Sequence, residues 1–351
     1  MKNRLTAIDG LKFLAVLLIY WWHCPLPKPE AELGGRMCAF LFLASGFLVA
    51  HTYRERMDMP LLRKWWRYAL YKFLAVWPLH FLMFLVCAWY WEAGQFSSTC
   101  GWRIVLANLL LLQAWVPDPA WFFSFNGVSW FLSVLMFCYL LSFPVLALCK
   151  RTGPAFVAFA ACVFLSWAVE RAILSGVCLP VDLHVSPLVR GLQFFAGMSA
   201  YCVISGSPWR TVRRKWSRSV LEVVALSACA GMVFAMRSCP MAVFCLFFAF
   251  LLVVFMPGDG CVSRLLSSRP LRFASSWQFE FFMIHQVVIR VFSYYCHDWI
   301  RVHLHAGHHA VCIAYISGEF ILCCLLAWGW HRFVDGYVRR LARTVFPAVG
   351  K

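Results

Sequence analysis

The chain has 351 residues, 62% of them hydrophobic and only 13% charged, with a formal net charge of +17. Soluble domains are about 45–50% apolar, so this composition excludes a soluble globular enzyme and leaves little room for a separate soluble domain. In a soluble chain the positive charge would suggest nucleic acid; beside long apolar runs it reads as the basic flanks that orient membrane helices, and no nucleic acid partner is expected.

Apolar runs of helical length recur along the sequence. They predict an all-α polytopic membrane helical bundle of about ten spans, at 8–24, 34–51, 66–90, 127–149, 153–175, 187–205, 218–236, 239–257, 273–294 and 311–331. The run IVLANLLLLQAWV at 104–116 is too short to cross a bilayer and is expected as a re-entrant or interfacial helix within an outer segment, 91–126. Basic residues cluster in alternate connections: Arg54, Arg56, Arg63, Lys64 and Arg67 after the second span, Arg210, Arg213, Arg214, Lys215 and Arg218 after the sixth, and Arg332, Arg339, Arg340 and Arg343 after the tenth. The other connections hold few, among them Lys28, Arg36 and Arg103. This bias predicts both termini in the cytoplasm and one integral domain over 1–351. The first span is expected to stay in place, because it runs into Trp21, Trp22, Pro25 and Pro27 without a small-residue cleavage site. Most of the 17 cysteines sit inside apolar runs as small hydrophobes, and no C-x-x-C pair is present, so no metal site is expected; a bridge among Cys100, Cys178, Cys239 and Cys296 stays open.

Several polar residues fall inside the spans, where a charge costs about 2.5–3.5 kcal/mol. Lys12 and His23 are eleven residues apart, about three helical turns, so they share a face some ~16 Å apart along the axis. Asp9 joins that stripe and can neutralise Lys12 at i, i+3. Such a stripe should face a cavity rather than lipid. The ninth span adds Glu280 and His285, either of which can approach His23 from a neighbouring helix; Lys72 and Arg190 complete the set. Arg171 and Arg290 lie near outer ends and are expected to snorkel. The run HLHAGHH at 303–309 reads as a solvated loop, and Trp21, Trp22, Trp77 and Trp91 as interface anchors. A histidine in the outer half with cations at the inner mouth suits two jobs: acyl transfer from an anionic cytoplasmic donor, with imidazole as base, or transport of an anionic or sugar-like solute. Spacing alone leaves both open.

Seven segments, in order, resemble one family. IDGLKFLAVLLIYWWH is similar to the opening D-x-L-R and downstream His of the acyltransferase-3 membrane O-acyltransferases, with Lys12 at the basic position and His23 at the histidine. Ser45, Gly46 and Phe47 resemble the family's F-x-x-S-G-F/Y-L segment, and Lys72 and Pro78 part of its basic third-helix stretch. Trp130, Leu132, Ser133, Val134 and Tyr139 resemble W-x-L-S-V-x-x-x-x-Y-L, and Arg190, Phe194 and Gly197 an R-x-x-x-F-x-x-G helix. Glu280 and His285 sit in a segment similar to S/F-x-x-Y-L-I-H-x-P, and HRFVDGYVRR echoes the closing F-x-E-x-P-x-R. The departures are Lys12 for Arg, Ala75 for a frequent Arg, Leu135 and Met136 where many members have Glu, and Asp335 and Tyr337 for Glu and Pro.

The resemblance implies a multi-pass enzyme of a bacterial cell (inner) membrane. It would move a short acyl group, usually acetyl from acetyl-CoA, to a hydroxyl of a surface glycan or lipid-linked saccharide, with the acyl-CoA as a donor substrate rather than a permanent cofactor. It further implies that Arg4, Lys12, Arg54, Arg56 and Lys72 hold the donor phosphates. His23 would be the base, Asp9 and Lys12 would shape the donor path, and Glu280 or His285 would orient His23. Trp130, Ser133, Tyr139 and Arg190 fall on the substrate side, the last three as donors to the developing oxyanion.

Overall fold

The computed structural model describes residues 4–24, 32–56, 65–90, 101–205, 215–236, 239–303 and 308–346. Lys28, Arg63, Lys64, Cys100, Arg210, Arg213, Arg214 and the centre of the 303–309 run lie outside the described residues. Lipid supplies no hydrogen-bond partner for a backbone, so spanning segments must satisfy their own N–H and C=O groups, and among the described residues all regular structure is helical. The helices are α1 (Thr6–His23), α2 (Leu33–Tyr53), α3 (Trp65–Tyr90), α4 (Gly101–Leu109), α5 (Trp130–Leu148), α6 (Thr152–Leu174), α7 (Pro187–Ser205), α8 (Lys215–Ala235) and α9 (Met241–Phe255). The short α10 (Cys261–Leu266) and α11 (Arg269–Ser276) lead into α12 (Gln278–His303) and α13 (His308–Trp330), and a π turn at His331–Asp335 joins α13 to α14 (Gly336–Val345).

Among the described residues, 7 helices are long and apolar enough to cross a bilayer: Leu33–Tyr53, Trp65–Trp89, Gly127–Leu148, Thr152–Leu174, Pro187–Ser205, Arg218–Ala235 and the continuous run Ile313–Val345. Met241–Phe255 is a shorter apolar helix. α1 and α12 have spanning length but carry the polar residues singled out above. Two expected boundaries move. The ninth segment breaks at Trp277, whose N–H turns back to the Ala274 carbonyl, so 269–276 forms a separate helix opened by Pro270. The tenth runs on through the π turn. The apolar run at 104–116 yields only the 9-residue α4, about 13 Å long. It is pinned to α3 by Trp77 Nε1 donating to the Leu109 carbonyl (2.9 Å) and His80 Nε2 to the Asn108 carbonyl (2.9 Å).

α2 is the most enclosed helix and α6 the least: Phe156, Val157, Phe164 and Leu165 of α6 face outward, as a lipid-facing helix requires. α2 crosses α7 where Gly46 meets the Phe194 carbonyl and Gly197 meets the Leu43 carbonyl; a Cβ at either glycine would overlap that oxygen. This small-residue contact lets two backbones touch, and it carries Ser45 and Arg190 on the helices so joined.

Several intramembrane charges are helix caps. Arg36, expected in an outer connection, lies within α2, donates to the carbonyls of Val233 (2.6 Å) and Met236 (3.2 Å) at the end of α8, and lies over the Phe244 ring. Glu222 accepts from the backbone N–H groups of Gly260 and Ser263, and Glu170 from that of Met241. Arg290 does not snorkel: its Nη1 donates to the carbonyl of Phe125 (2.9 Å), a residue held at φ +54°. Among the described residues Cys178, Cys239 and Cys296 form no disulfide, and Cys100 lies outside them.

Replacing Gly46 with Ala should cost about 1–3 kcal/mol through overpacking at the α2–α7 crossing. Gly231→Ala, where the added Cβ meets nothing, should leave the protein unchanged. Thermal denaturation of both variants in detergent, followed by size-exclusion chromatography, checks this.

Candidate active site

α1 connects two polar regions. At its first half Lys12 lines a cavity of about 230 Å³. Lys12 and Val16 on α1, Ser45 and Leu41 on α2, Lys72 and Val76 on α3, Tyr139, Leu135 and Phe131 on α5, Gln278 and Phe282 on α12, and Asp335 and Arg339 from the chain after α13 form its wall. Helix directions sort these groups. α1, α3 and α12 run from the Lys12 end toward the His23 end, and α2 and α5 run back. One end of the cavity is therefore cationic and hydroxylic, the other aliphatic and aromatic. Lys72 Nζ sits 5.2 Å from the Tyr139 ring centre and 5.4 Å from that of Tyr68. Asp335 Oδ2 accepts from Arg339 Nε at 2.6 Å. Three cations, Lys12, Lys72 and Arg339, thus face one space lined by a single carboxylate, Asp335.

Behind Asp335, Glu280 Oε1 lies 3.0 Å from His331 Nδ1, which is 3.6 Å from Asp335 Oδ2. One ligating atom from each of Glu280, His331 and Asp335 falls within 4.8 Å of the others, compact enough for a cation. Arg339 already holds Asp335, and Lys12 and Lys72 share its cavity, so a divalent cation would add charge to an already cationic space. We read the group as an ion-pair network that fixes Arg339.

At the other end of α1, His23 meets His285. His285 Nε2 is 3.4 Å from His23 Nδ1, with ring centres 5.0 Å apart. Two carbonyls assign the protons, because a carbonyl only accepts. His285 Nδ1 donates to the Phe282 carbonyl (2.7 Å), which leaves His285 Nε2 to accept. His23 Nδ1 donates to the Ile19 carbonyl (2.9 Å) and faces that acceptor. The unprotonated nitrogen of His23 is therefore Nε2, the one a general base needs.

Arg190, buried at the start of α7, completes this end. Its Nε donates to the His184 carbonyl (2.6 Å), Nη1 to the Gly35 carbonyl (3.3 Å) and to Gln193 Oε1 (3.2 Å), and Nη2 to His184 Nδ1 (3.3 Å). Its guanidinium carbon is 5.9 Å from the Trp130 ring centre, and Trp130 packs 5.2 Å from the His184 ring. Asp182 folds the loop before α7 by accepting from the N–H groups of His184 and Val185. Burial, then the Arg190 charge, then His23 push the His184 imidazole down to about 3, so it stays neutral at ordinary pH.

The structure brings together Lys12, Lys72 and Tyr139 in the cavity, His23 with His285, and Trp130 with Arg190. It separates others. Asp9 is shared: its charge acts on Lys12 one turn on, and Arg4, folding back over the first turn of α1, donates Nε to Asp9 Oδ2 at 2.5 Å; neither Arg4 nor Asp9 lines the cavity. Glu280 does not reach His23; five residues before His285, it points around α12 toward the π turn and His331. Ser133 lies about 200° around α5 from Phe131 and accepts from the Ala114 N–H (3.4 Å) in a separate cleft with Leu111 and Trp115. Arg54 ties the end of α2 to Ser205 and to the Lys150 carbonyl (3.0 Å), and Arg56 closes the short 3-10 turn that follows. Sequence reasoning missed His184 and the roles of Asp335 and Arg339. The i, i+4 spacing of Asp335 and Arg339 was a readable signal; His184 had none, since a turn built by Asp182 places it.

The acyltransferase domain family model matches residues 5–328. The chain belongs to the acyltransferase-3 family. This acyltransferase-3 protein is also similar to the "Acyltransferase MdmB" of Streptomyces mycarofaciens, at 25% identity over 331 aligned residues that cover 82% of this chain and 79% of that relative. No solved structure matches it. It is a multi-pass membrane acyltransferase, and the reading as a solute transporter falls away. A bilayer, an acyl donor and an acceptor follow from the family.

An imidazole held neutral when folded binds its proton only near pH 3, whereas the unfolded chain takes one up near ~6.5. His184 thus contributes a loss of stability that begins as the pH falls below about 6.5. The midpoint of thermal unfolding should drop between about pH 7 and about pH 5, and His184→Gln should flatten that drop; equal pH dependence of the two proteins would contradict the assignment.

Proposed function

We propose that this protein transfers a short acyl group, acetyl from acetyl-CoA, to a hydroxyl of a cell-surface glycan or lipid-linked saccharide, with His23 as general base. The observation that carries the reading is the cavity in which Lys12, Lys72 and Arg339 face one carboxylate. Cations gathered in a low-dielectric interior call for an anion, and coenzyme A presents phosphates. The basic flanks of α2 and α7 and the cationic end of the cavity then belong to the cytoplasmic side of the cell (inner) membrane, with both termini inside. The relative from Streptomyces supports a bacterial origin.

The aliphatic end of the cavity points the acyl thioester toward His23. Nε2 of His23 takes the proton of the acceptor hydroxyl as its oxygen attacks the thioester carbonyl. The imidazolium that forms keeps its Nδ1–H on the Ile19 carbonyl and opposite His285 Nε2, which disperses the new charge. The tetrahedral intermediate collapses with loss of the coenzyme A thiolate, which takes the proton back from His23. Trp130, His184 and Arg190 pack together on the far side, the side from which the acceptor would approach His23.

His23→Gln should lower kcat by about 10²–10⁴-fold while acyl-CoA still binds and the protein still inserts and folds. His285→Gln, which can donate where an acceptor is needed, should lower kcat less. Steady-state turnover by both variants tests the roles, and full activity in His23→Gln would refute the base assignment.

A further inference from the structure

An acyl group that enters the cavity at its cationic end must pass two rings to reach His23. Phe131 and Phe282 line the apolar end, their centres 5.0 Å apart and their planes inclined at 57°. On the far side the His285 ring lies 5.8 Å from that of Phe282, and Trp130 lies 5.9 Å from Phe131. The pair therefore has the cavity on one face and the histidine layer on the other, and it is 6% and 4% exposed. Its two members are held differently. Phe131 is stacked on Phe42 at 4.1 Å and 23°, against a residue that is itself fully buried, which makes it a fixed wall. Among the described residues the ring contacts of Phe282, with Phe131 and with His285, are both tilted rather than stacked, and one side of the ring borders the cavity. The ring's free volume is the cavity itself, about 230 Å³.

We propose that Phe282, closing against Phe131, determines the length of the acyl group this enzyme accepts. In the bound state Phe282 swings into the cavity and shares it with the donor: a short acyl group fits beside the ring and its carbonyl passes to His23, whereas a longer chain clashes with the ring and binds more weakly. Closed, the same pair separates the donor cavity from the histidine side and keeps water from the thioester. This inference rests on the acyl-CoA donor proposed above.

The test needs no acceptor. Free coenzyme A and acetyl-, propionyl-, butyryl- and hexanoyl-CoA are titrated into the purified full-length protein, and thiol release from each is followed in parallel. The wild type should bind acetyl- and propionyl-CoA alike and hexanoyl-CoA at least about tenfold more weakly, a discrimination within the reach of an apolar pocket. Phe282→Ala should abolish that difference and raise thiol release, as water attacks the thioester to give the free acid and coenzyme A thiol. Phe282→Leu, which keeps most of the bulk, should retain the wild-type ranking, and free coenzyme A should bind all three equally. If Phe282→Ala does not elute as a folded protein, Phe282→Val takes its place in the same series. Wild-type ratios in the small-residue variant would overturn the role of Phe282. A wild type that binds neither coenzyme A nor any acyl-CoA would overturn the donor assignment instead, and with it this inference.

Discussion

The placement of Lys12, Lys72 and Arg339 around one cavity is the interaction on which the rest of the molecule depends. Three like charges repel strongly where water is scarce, and Asp335 offsets only one of them. A bundle that holds them apart must fix each on a separate rigid element. α1, α3 and α14 do so, and the His331–Asp335 π turn gives the last of these its aim. Insertions of this kind in a helix commonly mark working positions. Glu280 and His331 stand behind Asp335, so the one carboxylate in the wall is itself held.

The same helix that contributes Lys12 carries His23, so the cavity and the histidine pair lie along one rigid element. About three turns of α1 separate Lys12 from His23, and the side chains lining the cavity grade from hydroxyls and amines to Val16, Phe131 and Phe282. The α2–α7 crossing at Gly46 and Gly197 brings the helices with Ser45 and Arg190 into backbone contact. Charge elsewhere in the bundle serves packing: Arg36, Glu222 and Glu170 complete helix ends that lipid could not satisfy.

Much of this was legible in the sequence because membrane burial makes polar residues conspicuous. Lys12, His23, Lys72, Arg190 and His285 stand out in apolar runs, and helical spacing placed Lys12 and His23 on one face. Pairing was not legible. That Asp9 answers Arg4 as well as Lys12 depends on how the chain before α1 folds back, and the Arg4 bond holds the Asp9 carboxylate out of the cavity wall. Glu280 looked like a partner for His23 because both lie in apolar helices, yet its face of α12 turns to the π turn. Ser133 shared a segment with Tyr139 but lies about 120° from it around α5, and it meets the Ala114 N–H instead of the cavity. Span counting met a similar limit, since helices as polar as α1 and α12 or as short as α9 are not separable by length and hydropathy alone.

The central claim is that the three cations hold an anionic donor. Calorimetric titration of coenzyme A into the wild type and into Lys12→Gln, Lys72→Gln and Arg339→Gln, each at low and at high salt, tests it most directly. Each lost charge should weaken binding by about tenfold or more and reduce its sensitivity to salt, as expected where charge-assisted contacts to phosphate dominate. Unchanged affinity in all three variants would contradict the claim and would assign these charges to packing alone.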